Sequence, residues 1–212
     1  MTRQRSFLSG LAVALGLLTA PAAHAFTLSY EQTVTTGREE TQSRVIVKDW
    51  MFRIERTLHG KPMVTVRNPK GIFSFYPEKK IGAKITSMDA TQQRFLDHVA
   101  NYPQYLQRQQ ARLIAEEDAG IYPCQVYLVE DRAMGGNLKV WLWTEEHVPV
   151  KLLMISPRGK VTVQLSNIQV GIRAADTLFE LPVGIELTDP DTFRSLSTGS
   201  DDSAPAAEAT DG

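Results

Sequence analysis

The sequence predicts a mainly β protein: a curved antiparallel sheet with two amphipathic helices across its concave face. Three observations carry this expectation. Short runs of β-branched and aromatic residues recur at even spacing, separated by turn residues. One stretch, 89–117, breaks the pattern: it holds no glycine and a single proline, and is rich in Gln, Arg, Ala, Leu and Glu. Several strands are apolar on both faces and therefore need cover on each.

The chain begins with Arg3 and Arg5 and no acid, followed by an apolar run from Phe7 to Ala20, a break at Pro21 and small residues in Ala23-His24-Ala25. This is the three-part layout of a secretory signal. The run is shorter than the ~20 residues that span a bilayer. Residues 1–25 are expected to be a signal peptide cut after Ala25, and no cysteine follows the run to accept a lipid. The expected location is the periplasm of a bacterial envelope, peripheral to the membranes, as a monomer. The signal takes two of the 23 basic residues and none of the 24 acidic ones, which leaves a mildly acidic chain with no electrostatic case for nucleic acid.

Strands follow in order. Val45–Val47, Trp50–Ile54, Val64–Val66, Ile72–Tyr76 and Ile81–Ile85 are separated by Lys48-Asp49, His59–Pro62, Asn68–Gly71 and Pro77–Lys80. They read as an antiparallel meander. In the 89–117 stretch, Asp89 with Gln92 is a helix start, and Phe95, Val99 and Tyr102 recur at helical spacing with Leu96 beside them. Leu106, Leu113 and Ile114 repeat the pattern. Pro103 divides the stretch, so helices are expected near 89–101 and 104–117. Strands resume at Cys124–Val129, Lys139–Thr144, Pro149–Ile155 and Val161–Val170. The domain is expected to span 26–190. The remainder, 191–212, is an acidic tail expected to be disordered, having too little apolar surface to offset ordering entropy.

No constellation for catalysis is visible. His59, His98 and His147 lie apart without a metal spacing, and the phosphate-loop, nucleophile-elbow and metalloprotease signatures are missing. The single cysteine, Cys124, cannot form an internal disulfide and is expected to be buried. The chain is read as a non-enzyme with no cofactor and no metal.

The aromatic load of the strands points instead to binding. Trp141 and Trp143 share one face of their strand and Phe73 and Phe75 share one of theirs, while Val140 and Leu142 point the other way. Two core layers would account for this. A curved sheet with an apolar groove would also account for it. For the groove wall the candidates are Trp50, Phe52, Phe73, Phe75, Trp141, Trp143, Leu152 and Met154. For the lid they are Phe95, Leu96, Val99, Leu106 and Leu113. An acyl chain of ~16 carbons, at ~0.8 kcal/mol per methylene, offers on the order of 10 kcal/mol before ordering costs.

Five stretches also carry a family likeness. Asp49–Glu55, Asn68–Pro77, Gly120–Cys124, Trp141–Lys151 and Asp176–Gly184 stand in the order of motifs found in the outer-membrane lipoprotein-sorting superfamily. Over residues 27–187 the chain resembles these LolA/LolB-like proteins, and most of all their uncharacterised periplasmic branch. The resemblance implies a half-open β-barrel with helices across its mouth, binding acyl chains inside. It also implies an arginine that bonds to the lid, for which Arg53 is the match. The expected function is to hold a lipid or lipoprotein acyl chain, in connection with lipoprotein sorting. The alternative is a sensor or scaffold that binds an envelope protein through the same groove.

Overall fold

The computed structural model describes residues 25–86, 88, 90–131, 135–157 and 159–197. The predicted signal peptide up to His24, the predicted helix start Asp89 and residues 198–212 of the predicted tail lie outside the described residues.

A first meander holds six strands: β1 (Thr27–Thr36), β2 (Glu39–Lys48), β3 (Met51–Leu58), β4 (Lys61–Asn68), β5 (Gly71–Tyr76) and β6 (Ile81–Ile85). A helical segment follows: α1 (Ala90–His98), one 3₁₀ turn (Val99–Asn101) and α2 (Tyr102–Arg108). The second meander is β7 (Arg112–Ala119), β8 (Tyr122–Asp131), β9 (Gly136–Trp143), β10 (Pro149–Ser156) and β11 (Gly159–Val170). A short β12 (Glu186–Leu187) and α3 (Pro190–Ser197) end the described chain. The β-rich reading of the sequence holds, as a single curved, open antiparallel sheet with helices across it.

The two meanders join where β1 pairs with β11, Val34 lying opposite Val163. The sheet order is therefore β12-β6-β5-β4-β3-β2-β1-β11-β10-β9-β8-β7. This order places the helical segment. It connects β6, near one edge, to β7 at the other, and the direct route between those strands crosses the sheet. Its apolar side chains settle on the concave face: Phe95, Leu96, Val99, Tyr102, Tyr105 and Leu106 join one cluster with Leu28, Val47, Phe52, Ile54, Val140 and Leu152.

Two expectations from the sequence are corrected. The second helix does not reach residue 117. It stops at Arg108, Gln110 takes a left-handed conformation (φ 54°), and 112–119 forms β7 along β8. Helix propensity in Ala115-Glu116-Glu117 is worth only tenths of a kcal/mol per residue. Strand pairing satisfies a whole row of backbone groups on β8 that would otherwise form the sheet edge. Pro103 lies in the first turn of α2, where its missing donor costs nothing.

The second correction concerns 191–197, predicted as part of a disordered tail. The Asp189 carboxylate accepts the Asp191 and Thr192 amides (2.8 and 3.2 Å) and so starts α3. Phe193 is buried against Tyr76, ring centroids 5.2 Å apart. The C-terminal segment wraps the β6 edge. Leu181 and Ile185 cover Val64, Val66, Phe73 and Phe75 on the convex face. Then β12 pairs parallel with β6, and α3 brings Phe193 to the opposite face beside Met63 and Ala83.

Candidate functional site

The concave face is built by alternation. Leu28 and Tyr30 on β1, Val45 and Val47 on β2, and Phe52 and Ile54 on β3 point inward. The residues between them point outward. Across the β1–β11 seam, Val163 and Leu165 on β11, Leu152 and Met154 on β10, and Leu138, Val140 and Leu142 on β9 continue the surface. An aromatic line ties the lid to it: Tyr30 meets Phe95 edge-on (6.0 Å), Phe95 meets Tyr102 (6.0 Å), and Tyr102 meets Tyr105 (5.1 Å). Burial pushes the Tyr30 and Tyr102 phenols upward, so both stay neutral.

Of the wall candidates, Phe52, Leu152 and Met154 lie on this face. The other five do not. Phe73 and Phe75 face the convex side beneath Leu181 and Ile185. Trp141 and Trp143 also face that side, in a cluster with Cys124, Val126 and Val150. Trp141 lies between the Lys139 and Lys151 ammoniums (4.4 and 4.7 Å from the ring centroid) and donates to Glu117 Oε1 (2.7 Å). Trp50 lies in the β2–β3 turn and is 49% exposed. Pairing of Phe73 with Val66 and of Trp141 with Val126 puts those aromatics on the face opposite Phe52 and Val140. Cys124 is buried, and desolvation pushes its thiol up, as befits an inert thiol.

Four lid candidates, Phe95, Leu96, Val99 and Leu106, are packed into the concave cluster. Leu113 is not: it is on β7 and 51% exposed. Tyr105 was missed, although it stands three residues after Tyr102 and the two share a helical face. The lid-bonding arginine is also different. Arg53 points outward, to Glu55 (2.6 Å) and the Leu178 carbonyl (3.1 Å). Arg67 reaches the lid instead. Its guanidinium pairs with Asp97 of α1, donates to the Trp50 carbonyl (2.7 Å) and stacks on Phe52, 4.9 Å from the ring centroid.

The lid does not fill the groove. A cavity of about 180 Å³ remains at the Val34 end of the sheet, beside the start of α1. Val34, Ile54, Phe95, Leu152, Val161 and Val163 form its apolar side. Gln32, Thr41, Ser43, Gln92 and Arg56 form its polar side, and Arg56 is the one charged group among these eleven. Arg56 Nε is shut off from solvent and has no hydrogen-bond partner, and desolvation pushes this guanidinium below its ordinary value. Among the described residues no cluster of His, Cys, Asp and Glu is placed to hold a metal.

No family model and no curated protein matches the chain in sequence. It is similar in structure to an uncharacterized conserved protein from Thermus thermophilus, with 13% identity over 78% of this chain and 91% of that one and a TM-score of 0.54. That likeness shows a shared fold. More distant are Pseudomonas aeruginosa MucB, solved in complex with MucA (13% identity, 77% of this chain and 58% of that one, TM-score 0.48), and the Mycobacterium tuberculosis lipoprotein LppX (9% identity, 67% and 85%, TM-score 0.44).

Proposed function

We propose that the chain is an exported, non-enzymatic protein of the bacterial periplasm whose concave groove takes up the apolar chain of a lipid or lipoprotein. The observation that carries this is the occupied groove: a helical segment lays six large apolar or aromatic side chains into a concave sheet and still leaves a cavity beside them. A cavity of ~150 Å³ holds a benzene ring. The 180 Å³ here takes a ring-sized group, and a whole acyl chain requires the lid to move aside. Burying six such side chains is worth roughly 9–18 kcal/mol at ~1.5–3 kcal/mol each, and a 16-carbon chain offers on the order of 10 kcal/mol. Exchange of lid for chain is therefore close to balanced, which suits reversible loading. The resemblance to the lipoprotein-sorting superfamily, in its uncharacterised periplasmic branch, points the same way.

Export is supported at the chain's first strand. The Phe26 amide donates to the Asp49 carboxylate (2.9 Å) and the Phe26 carbonyl accepts from Asp49 (2.8 Å). A cut after Ala25 turns that amide into an ammonium facing the same carboxylate, which strengthens the bond. N-terminal sequencing of periplasmic protein is expected to begin at Phe26; an intact leader refutes export by cleavage.

The second reading, a protein partner's segment in the same groove, is favoured by the small size of the cavity, which suits one or two side chains without lid movement. Native mass spectrometry of protein purified from the periplasm, with uptake of a fluorescent fatty acid, decides between them. Bound lipid mass and saturable uptake are expected. A clean apo mass with no uptake overturns the lipid reading, and stoichiometric recovery of one envelope protein by crosslinking establishes the other.

A further inference from the structure

We propose that Arg56 is an oxyanion site at the mouth of the groove, so that the preferred occupant is an amphiphile with a carboxylate or phosphate head on an unbranched apolar chain. This deepens, and rests on, the apolar-chain reading above. The argument starts from β3, where Phe52, Ile54 and Arg56 alternate with outward residues and so point into the concavity. Phe52 and Ile54 lie under the lid, while Arg56 stands where apolar lining gives way to Gln32, Thr41, Ser43 and Gln92.

A guanidinium in this position is expensive unless something answers its charge. The two other arginines of the neighbouring β3 and β4 positions have acids: Arg53 has Glu55 and Arg67 has Asp97. Arg56 forms no ion pair with a carboxylate among the described residues, its Nε is sealed from water without a hydrogen-bond partner, and the titratable group that interacts with it is the neutral Tyr76 phenol. Glu55 follows Arg53 and precedes Arg56, and its carboxylate is committed to Arg53 on the outer face. Nε matters because side-on, bidentate binding of a carboxylate or phosphate uses Nε together with one terminal nitrogen. The unpartnered atom is thus half of a ready fork. The six apolar side chains beside it accept the first carbons of the chain, and the neutral amides and hydroxyls opposite add donors without competing charge.

Titration calorimetry with octanoate, octyl phosphate and octanol tests this, on the full mature chain and on Arg56→Gln and Arg56→Lys. The anionic probes are expected to bind at least ten-fold more tightly than octanol. Arg56→Gln is expected to abolish that preference, and Arg56→Lys to keep part of it. Whichever of octanoate and octyl phosphate binds more tightly identifies the head group. Equal binding of octanol and the anions by the unmutated protein, or a preference that survives Arg56→Gln, overturns the oxyanion site and leaves the apolar-chain reading standing. Failure of all three probes overturns both. The unmutated protein's own preference decides the matter even where a variant does not fold. Arg56→Met supplies an independent readout: with a partly buried charge that no carboxylate answers removed, the ligand-free melting temperature is expected to rise, and a large fall shows that Arg56 has a structural role, with Tyr76 for example, instead.

Discussion

Replacing Phe95 with alanine separates the groove's packing from its uptake. Phe95 is 5% exposed, touches Tyr30 and Tyr102 at 6.0 Å each, and borders the 180 Å³ cavity. A buried Phe→Ala change costs ~3–5 kcal/mol. Because one side of the ring already faces open space, the low end applies, about 3 kcal/mol. In a chain of this length that lowers the melting temperature by roughly 6–12 °C. If half of the loss falls on lid docking, the open lid gains about ten-fold in population. The control is Phe75→Ala. Phe75 is 1% exposed and packed with Val64, Val66 and Phe73 on the opposite face. Its loss is expected to cost about 4–5 kcal/mol and to leave the groove alone. Both variants are to be melted by circular dichroism, then titrated with a fluorescent fatty acid well below either transition. Phe95→Ala is expected to take up more probe than the unmutated protein, and Phe75→Ala the same amount. Equal effects on uptake, or a larger one from Phe75→Ala, refute the assignment of the groove to the concave face.

Three further outcomes are expected. A double-mutant cycle on Arg67→Gln and Asp97→Asn yields a coupling of about 1 kcal/mol, between exposed and buried ion pairs, since these side chains are 15% and 36% exposed; urea unfolding measures it, and a coupling near zero removes the latch. Leu113→Glu changes stability by less than ~0.5 kcal/mol because the side chain is half exposed on β7, whereas Leu106→Glu, at 3% exposure on the inner face of the lid, is expected to expose the lid to limited proteolysis. The Glu117 carboxyl is held below the usual carboxylate range by hydrogen bonds from Lys139 and Trp141. Its contribution is therefore present above the ordinary carboxylate pKa and lost as pH falls through the lowered value. Glu117→Gln is expected to flatten the acid limb of the Trp141 fluorescence titration, and an unchanged limb refutes the contact.

The strands were legible because β-branched and aromatic runs between turn residues leave few alternatives. So was the pairing of side chains by face: Trp141 with Trp143, and Phe73 with Phe75, do share faces. Which face looks into the groove was not legible, since alternation is symmetric until something covers one side. The arginines show the same limit at single-residue resolution. Arg53 adjoins Phe52 along β3, so with Phe52 inside, Arg53 must point out. Arg67 sits opposite Phe52 on β4 and shares its face. Leu113 failed for another reason: its helical spacing with Leu106 is real, but a free edge on β8 recruits the segment as a strand.

By itself the sequence determined the β-rich architecture, the helical interruption and the two-sided apolar strands, all of which follow from local pattern and composition. Tertiary structure alone decided what the groove is. The pairing of β1 with β11 put β6 and β7 towards opposite margins, so that the segment between them has to cross one face. That crossing made one apolar face a lidded groove, and the C-terminal wrap made part of the other an ordinary core layer. It also left Arg56 beside an apolar pocket without an acid to pair with among the described residues. Such a placement depends on contacts between residues far apart in the chain, and no local pattern encodes it.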